Sequence, residues 1–146
     1  MRFSNAQAAE ELTPHSGRMA LLGHVLEHGP EHTRCSVPIA KSELFCDDSG
    51  RVPAWVALEY MAQCAAVHGG LEARARGEAP RPGFLVGSRR LVFRADTFSG
   101  EQTLEVSARP VTQSGNFLVF DCALLASGCS EPLAEGRLNV YLPEIT

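Results

Sequence analysis

The chain has no basic tract. Its thirteen Lys and Arg are scattered and outnumbered by seventeen Asp and Glu, giving a formal net charge of −4. That excludes a general affinity for nucleic acid, which is not expected among its partners. It also lacks any apolar run approaching the roughly 18 residues of a membrane span. Met1 to Glu11 carries one Arg and no apolar stretch of signal-peptide length, so a cytoplasmic protein with no membrane partner is expected. None of the five cysteines forms a Cys-x-x-Cys pair, and an odd number reads as reduced thiols rather than a disulfide framework or a zinc site. No metal is expected. Cys46 as a nucleophile would need a base beside it and a lowered pKa, neither of which is visible in the sequence. Internal repeats are absent. At 146 residues, 45% hydrophobic and 21% charged, residues 1–146 make one globular domain.

What the chain does have is an apolar helix with one carboxylate in its middle. From Pro53 the sequence runs Ala54, Trp55, Val56, Ala57, Leu58, Glu59, Tyr60, Met61, Ala62, Gln63. Proline suits a first helical turn, and the pattern continues as far as Gly69-Gly70, where it is expected to stop. Between Trp55 and Val67 no wide polar face remains, so other structure should wrap the helix. Glu59 is too far from the start to be a cap. Burying an ionised carboxylate without a partner costs several kcal/mol, so Glu59 is protonated, paired or facing a pocket. Gln63 falls one turn later and is expected to share its space.

Around that helix the sequence reads as strands. Residues 5–12 form a short helical candidate, interrupted by the turn chemistry of Thr13-Pro14-His15-Ser16-Gly17. Met19 to Glu27 and His32 to Ala40, separated by Gly29-Pro30, predict a hairpin. Lys41 to Val52 is a loop containing Asp47-Asp48-Ser49-Gly50, and Glu72 to Pro82 is a charged surface connection of the kind that covers binding sites. Strands are predicted at Gly83 to Phe93, Gln102 to Val111, Phe117 to Ala126 and Leu133 to Leu142. An antiparallel sheet of five or six strands must cover its apolar face, and wrapping one long central helix does so. The class is α+β.

In this order and spacing the residues resemble the hot-dog 3-hydroxyacyl-acyl-carrier-protein dehydratases. The helix pattern Pro-Gly-x-x-x-x-Glu-x-x-Ala-Gln is met by Pro53, Glu59, Ala62 and Gln63, with Ala54 in place of Gly. Further matches fall on Thr13-Pro14-His15, Met19 to Val25, Phe84 to Gly87, Phe93-Arg94, Ser99 to Val106 and Ala134 to Leu138. The family's catalytic histidine loop maps onto Leu44-Phe45-Cys46-Asp47-Asp48, where the histidine position is Phe45. The chain is most similar to a divergent branch associated with aryl polyene pathways. That branch reads Pro-His-x-Gly-x-Met near the start, here Pro14 to Met19, and Val-Pro-Ala-Trp-x-x-x-Glu-Tyr-Met-Ala-Gln on the helix, here Val52 to Gln63.

The resemblance implies dehydration of a 3-hydroxyacyl thioester to a trans-2-enoyl thioester. The substrate rides on phosphopantetheine, from acyl carrier protein or coenzyme A, and no bound cofactor is required. His15 replaces the missing base, and Glu59 acts as the acid at the leaving hydroxyl. Backbone N–H groups around Ala54 and Trp55 polarise the thioester carbonyl. Phe45 and Gln63 contact substrate. Adjacent strand residues point to opposite faces, which puts Arg90 and Arg94 on one face, at a tunnel mouth for an acidic carrier. A homodimer, or a heterodimer with a second hot-dog protein, is implied. Two other functions fit the same residues: a thioesterase using Glu59 to activate water, and a non-catalytic subunit of a heterodimeric dehydratase. His68 should lie across the helix from Glu59, and His24, His28 and His32 read as ordinary strand and turn residues without metal-ligand spacing.

Overall fold

The two-residue alternation of the C-terminal half becomes a sheet in the computed structural model, which describes Ala9, residues 17–79, Arg81 and residues 83–143. The strands are β1 (Val25–Gly29), β2 (His32–Pro38), β3 (Arg51–Pro53), β4 (Phe84–Phe93), β5 (Thr97–Ser99), β6 (Thr103–Ser114), β7 (Phe117–Ala126) and β8 (Ala134–Tyr141). Six of them form one antiparallel sheet in the order β1-β2-β6-β7-β8-β4, and β3 pairs with β5 in a small second sheet. One helix, α1 (Ala57–Ala75), lies across the inner face. The expected hot-dog architecture is therefore present.

Alternation decides which side chains meet the helix. Leu104, Val106 and Ala108 of β6, Phe120, Cys122 and Leu124 of β7, and Ala134 and Leu138 of β8 point inward and are buried. Ala57, Tyr60, Met61, Cys64 and Val67 meet them from α1. Each large apolar side chain so buried contributes about 2 kcal/mol. Tyr60 satisfies its hydroxyl on Ser42 at 2.6 Å, so its polar tip adds no penalty. All five cysteines are unpaired, and burial pushes the Cys122 thiol up to about 12, leaving it inert.

Four expectations need correction. The helix does not stop at Gly69-Gly70 but runs on to Ala75, so the surface connection begins only at Arg76. Buried Val67, His68, Leu71 and Ala73 hold that last stretch against the sheet, outweighing the roughly 1 kcal/mol that each glycine costs a helix. At the other end, Pro53 closes β3 and Ala54–Val56 forms a 3-10 turn before the α-helix starts. The stretch from Met19 begins as a 3-10 turn, Gly17–Met19, and becomes strand only at Val25. Residues 39–45, expected as a strand end up to Ala40 and as loop from Lys41, form a 3-10 segment.

Strand β4 departs from simple alternation. Arg89 pairs with Arg137 and Val92 with Glu135, so three steps on β4 match two on β8. The extra residue is a bulge, and Arg90 adopts φ 56 to make it. A Cβ on Gly136 would sit 2.5 Å from Leu91 Cδ2, so glycine there opens the space that the inward-turned Leu91 fills. The bulge shifts the face order by one. Arg90 and Arg94 nonetheless both stand on the outer face, Arg90 beside Glu135 and Arg137 and Arg94 bonded to Glu135.

Candidate active site

Glu59 projects from the first turn of α1 and is half-buried, not enclosed. It lines a cavity of about 200 Å³ whose helix wall is made of Ala62, Ala66 and Gly69 and whose opposite wall is made of Phe84 and Leu85 of β4. Small residues on the helix create the groove; large ones on the strand roof it. Phe120 and Val140 add apolar floor, so the carboxyl faces hydrocarbon with room for an acyl chain. Arg81 is the cavity's cationic group. Its Nη2 donates to the carbonyls of Leu142 (3.1 Å) and Pro143, while its buried Nε has no partner among the described residues. Sequence reading did not find Arg81, because it sits in an irregular connection with no motif.

Gln63 does not share that space. It is 3% exposed, its Oε1 accepts from the Leu21 N–H at 3.0 Å and its Nε2 donates to the Met19 carbonyl at 2.8 Å. Residues four apart on a helix are near neighbours but about 40° apart in direction, and here that difference turns Gln63 inward, toward the segment that follows His15. His15 itself lies outside the described residues. At the helix start, the Ala54 N–H is spent on the Asp96 carbonyl at 2.9 Å, so it is not a free donor for a thioester. Trp55 is 57% exposed, and its ring meets Phe45 edge-on with centroids 5.7 Å apart. Phe45, standing where the related enzymes carry histidine, thus has an aromatic packing role at the mouth of α1.

The arginines occupy the other side of the sheet. Arg90, Arg109 and Arg137 surround an outer-face basin with Asp121 and Glu135, which shares no lining residue with Glu59's cavity. Arg137 binds Asp121 through two bonds, at 2.8 and 3.1 Å, which holds that carboxyl below its usual range. Arg94 is committed to Glu135 at 2.6 Å and Glu131 at 3.1 Å. His68 lies where expected, outside Glu59's cavity, but it lines a neighbouring one that shares Gly69, Arg81, Leu118, Phe120 and Leu142 with it.

One helix wrapped by an antiparallel sheet, with a helix carboxyl in an apolar cleft beside a sheet edge, defines a hot-dog protein. A family model described as ApeP-like, ApeP dehydratase, matches residues 7–146. The chain belongs to this dehydratase family. Among solved structures, a chain of the dehydratase heterocomplex ApeI:P from Xenorhabdus doucetiae superposes with a TM-score of 0.88 at 28% identity, covering 94% of this chain and 92% of that one. Zebra fish thioesterase superfamily member 2 shares the fold at a TM-score of 0.67 and 15% identity, over 92% of this chain and 91% of that one. A hypothetical thioesterase protein with coenzyme A from Streptococcus pneumoniae does so at 0.60 and 8%, over 82% and 84%. No curated protein matches the sequence significantly.

Proposed function

We propose that this dehydratase-family chain works in the cytoplasm as one half of a two-subunit hot-dog enzyme. It acts on 3-hydroxyacyl thioesters carried on the phosphopantetheine of an acyl carrier protein during polyene assembly. The observation that carries this reading is the position of β4. It is the terminal strand of the sheet, and Phe84, Leu85, Val86, Val92 and Phe93 along it are exposed. An apolar edge with unspent backbone donors and acceptors is a template for another strand. Phe84 and Leu85 belong to this edge and to Glu59's cavity at once, so the strand that covers the edge also closes the site.

In that closed cleft the acyl chain lies against Ala62, Ala66 and Phe120. Glu59, in its acid form, donates to the leaving 3-hydroxyl. A histidine takes the α-proton, so that water leaves and the 2,3 double bond forms with all atoms balanced. His15 supplies that base or the partner subunit does; Phe45 cannot. The heterocomplex of the Xenorhabdus relative supports pairing with a different hot-dog subunit.

Incubating the purified chain, alone and with hot-dog partners, with a 3-hydroxyacyl carrier thioester tests the reading. Mass analysis should show loss of water only in the productive pair. Release of free acid from saturated acyl thioesters would instead indicate a thioesterase.

A further inference from the structure

Forty residues separate His28 from His68 in the sequence, and the fold puts them together. His28, at the end of β1, is buried, and its ring lies 5.2 Å, centroid to centroid, from that of His68 on α1. The Thr33 hydroxyl of β2 stands between them, 2.7 Å from His28 Nδ1 and 2.8 Å from His68 Nδ1. Glu72, one turn beyond His68 on the same helix face, reaches His28 Nε2 with Oε1 at 3.1 Å. The donor atoms of His28, His68 and Glu72 all lie within 4.8 Å of one another. We propose that His28, His68 and Glu72 form a binding site for a divalent transition-metal cation, with Zn²⁺ as the best fit, pinning the β1–β2 hairpin to α1.

Three observations favour a metal over a purely hydrogen-bonded cluster. First, two imidazoles and one carboxylate are a zinc donor set that leaves one position open. Second, ligands about 2.0–2.1 Å from a tetrahedral ion stand roughly 3.3 Å from each other, close to the present His28–Glu72 separation. Third, Thr33 is an outer partner for both rings. Its two lone pairs can accept both Nδ1–H groups together, which fixes the tautomers that present both Nε2 atoms to an ion. His68 and Glu72 line a cavity of about 360 Å³ that provides the route in and room for a bound water.

Without an ion the proton order is fixed. A carboxylate only accepts, so His28 Nε2–H donates to Glu72, Thr33 O–H donates to His28 Nδ1, and His68 Nδ1–H donates to Thr33. Metal entry needs the His28 Nε2 lone pair, so the single proton of that ring shifts from Nε2 to Nδ1 and the Thr33 bond reverses, while the His68 Nε2 lone pair binds directly. Each ring carries one proton before and after and Glu72 stays ionised, so the balance predicts no net proton release from the ligands.

The proposal is independent of the Glu59 reading, because none of its ligands lines that cavity. The test uses the chelator-treated full chain, titrated with Zn²⁺ in competition with a chromophoric chelator, and with Co²⁺ followed in the visible. Expected are one ion per chain, a tetrahedral Co²⁺ spectrum and a raised melting temperature. Glu72→Gln, at a half-exposed position that tolerates change, should weaken binding at least about tenfold, and Thr33→Val should do so by roughly 10- to 100-fold through loss of ring orientation. No saturable binding to the parent chain overturns the proposal. So does binding that Glu72→Gln leaves unchanged, which would put the ion on His24 or His32 instead.

Discussion

Replacing Gln63 by Met removes both hydrogen bonds while keeping side-chain length, and its cost can be worked from the geometry. The Leu21 N–H is fully buried and has Gln63 Oε1 as its acceptor at 3.0 Å. Orphaning it costs about 1–3 kcal/mol, and losing the second bond, to the half-solvated Met19 carbonyl, costs about 1 kcal/mol more. Burial of the methionine methyl offsets up to about 1 kcal/mol, so a net loss of about 2–3 kcal/mol is expected. For a chain of this size that is a fall of roughly 5–10 °C in melting temperature. Urea unfolding followed by circular dichroism measures the first figure. Hydrogen exchange at the Leu21 amide, which should accelerate in step, checks that the loss is local. A loss below about 0.5 kcal/mol with unchanged Leu21 protection would refute the argument that Gln63 anchors the segment behind His15.

Glu59→Gln should preserve the melting temperature and abolish dehydration in the reconstituted pair, because the amide keeps the shape but has no acid proton; residual turnover in that variant removes Glu59 from the chemistry. His15→Ala should lower turnover by about a hundredfold if His15 is the base, and only a few-fold if the partner supplies it. Stability should fall with pH between about 6.5 and 4 in the metal-free protein. The His68 pKa is lowered to about 4, so the unfolded chain binds a proton there that the folded chain refuses, and the folded state loses ground as pH drops through that window. The full shift corresponds to up to about 3 kcal/mol, trimmed to roughly 2 kcal/mol by solvent screening at the cavity mouth, and His68→Gln should flatten the fall. Gly69→Ala should stabilise α1 by about 1 kcal/mol, since an added Cβ meets open space, and thermal unfolding checks it.

The strands were legible because each buries one face only: β8 and the first half of β6 alternate inward apolar with outward polar residues, and β7 alternates in burial even though Val119, Ala123 and Leu125 face outward. Helix α1 was legible from its apolar run and Glu59. Its C-terminal extension was not, because Gly69-Gly70 is a local breaker signal that packing of Leu71 and Ala73 overrides. The pairing of Arg51–Pro53 with Thr97–Ser99 rests on contacts across more than forty residues and leaves no periodic trace in strands of three. The Arg90 bulge is set by Leu91 seeking the space at Gly136, a cross-strand fact that two-residue alternation along β4 cannot show. The same limit hid the His28–Thr33–His68–Glu72 cluster, drawn from two strands and a helix. Of the proposed site, Glu59 was visible as a carboxylate without a reason to be in its helix. The cavity around it needed the fold, since Phe84, Leu85, Leu118, Phe120 and Val140 reach it from β4, β7 and β8.

The most direct test of the account is dehydration by the reconstituted pair. The chain is mixed with its hot-dog partner and a 3-hydroxyacyl thioester on carrier protein, and the carrier-bound acyl mass is followed against time. The account predicts loss of one water in the mixture and none with Glu59→Gln in this chain. Dehydration at the parent rate by the Glu59→Gln pair, or by the partner alone, would contradict it.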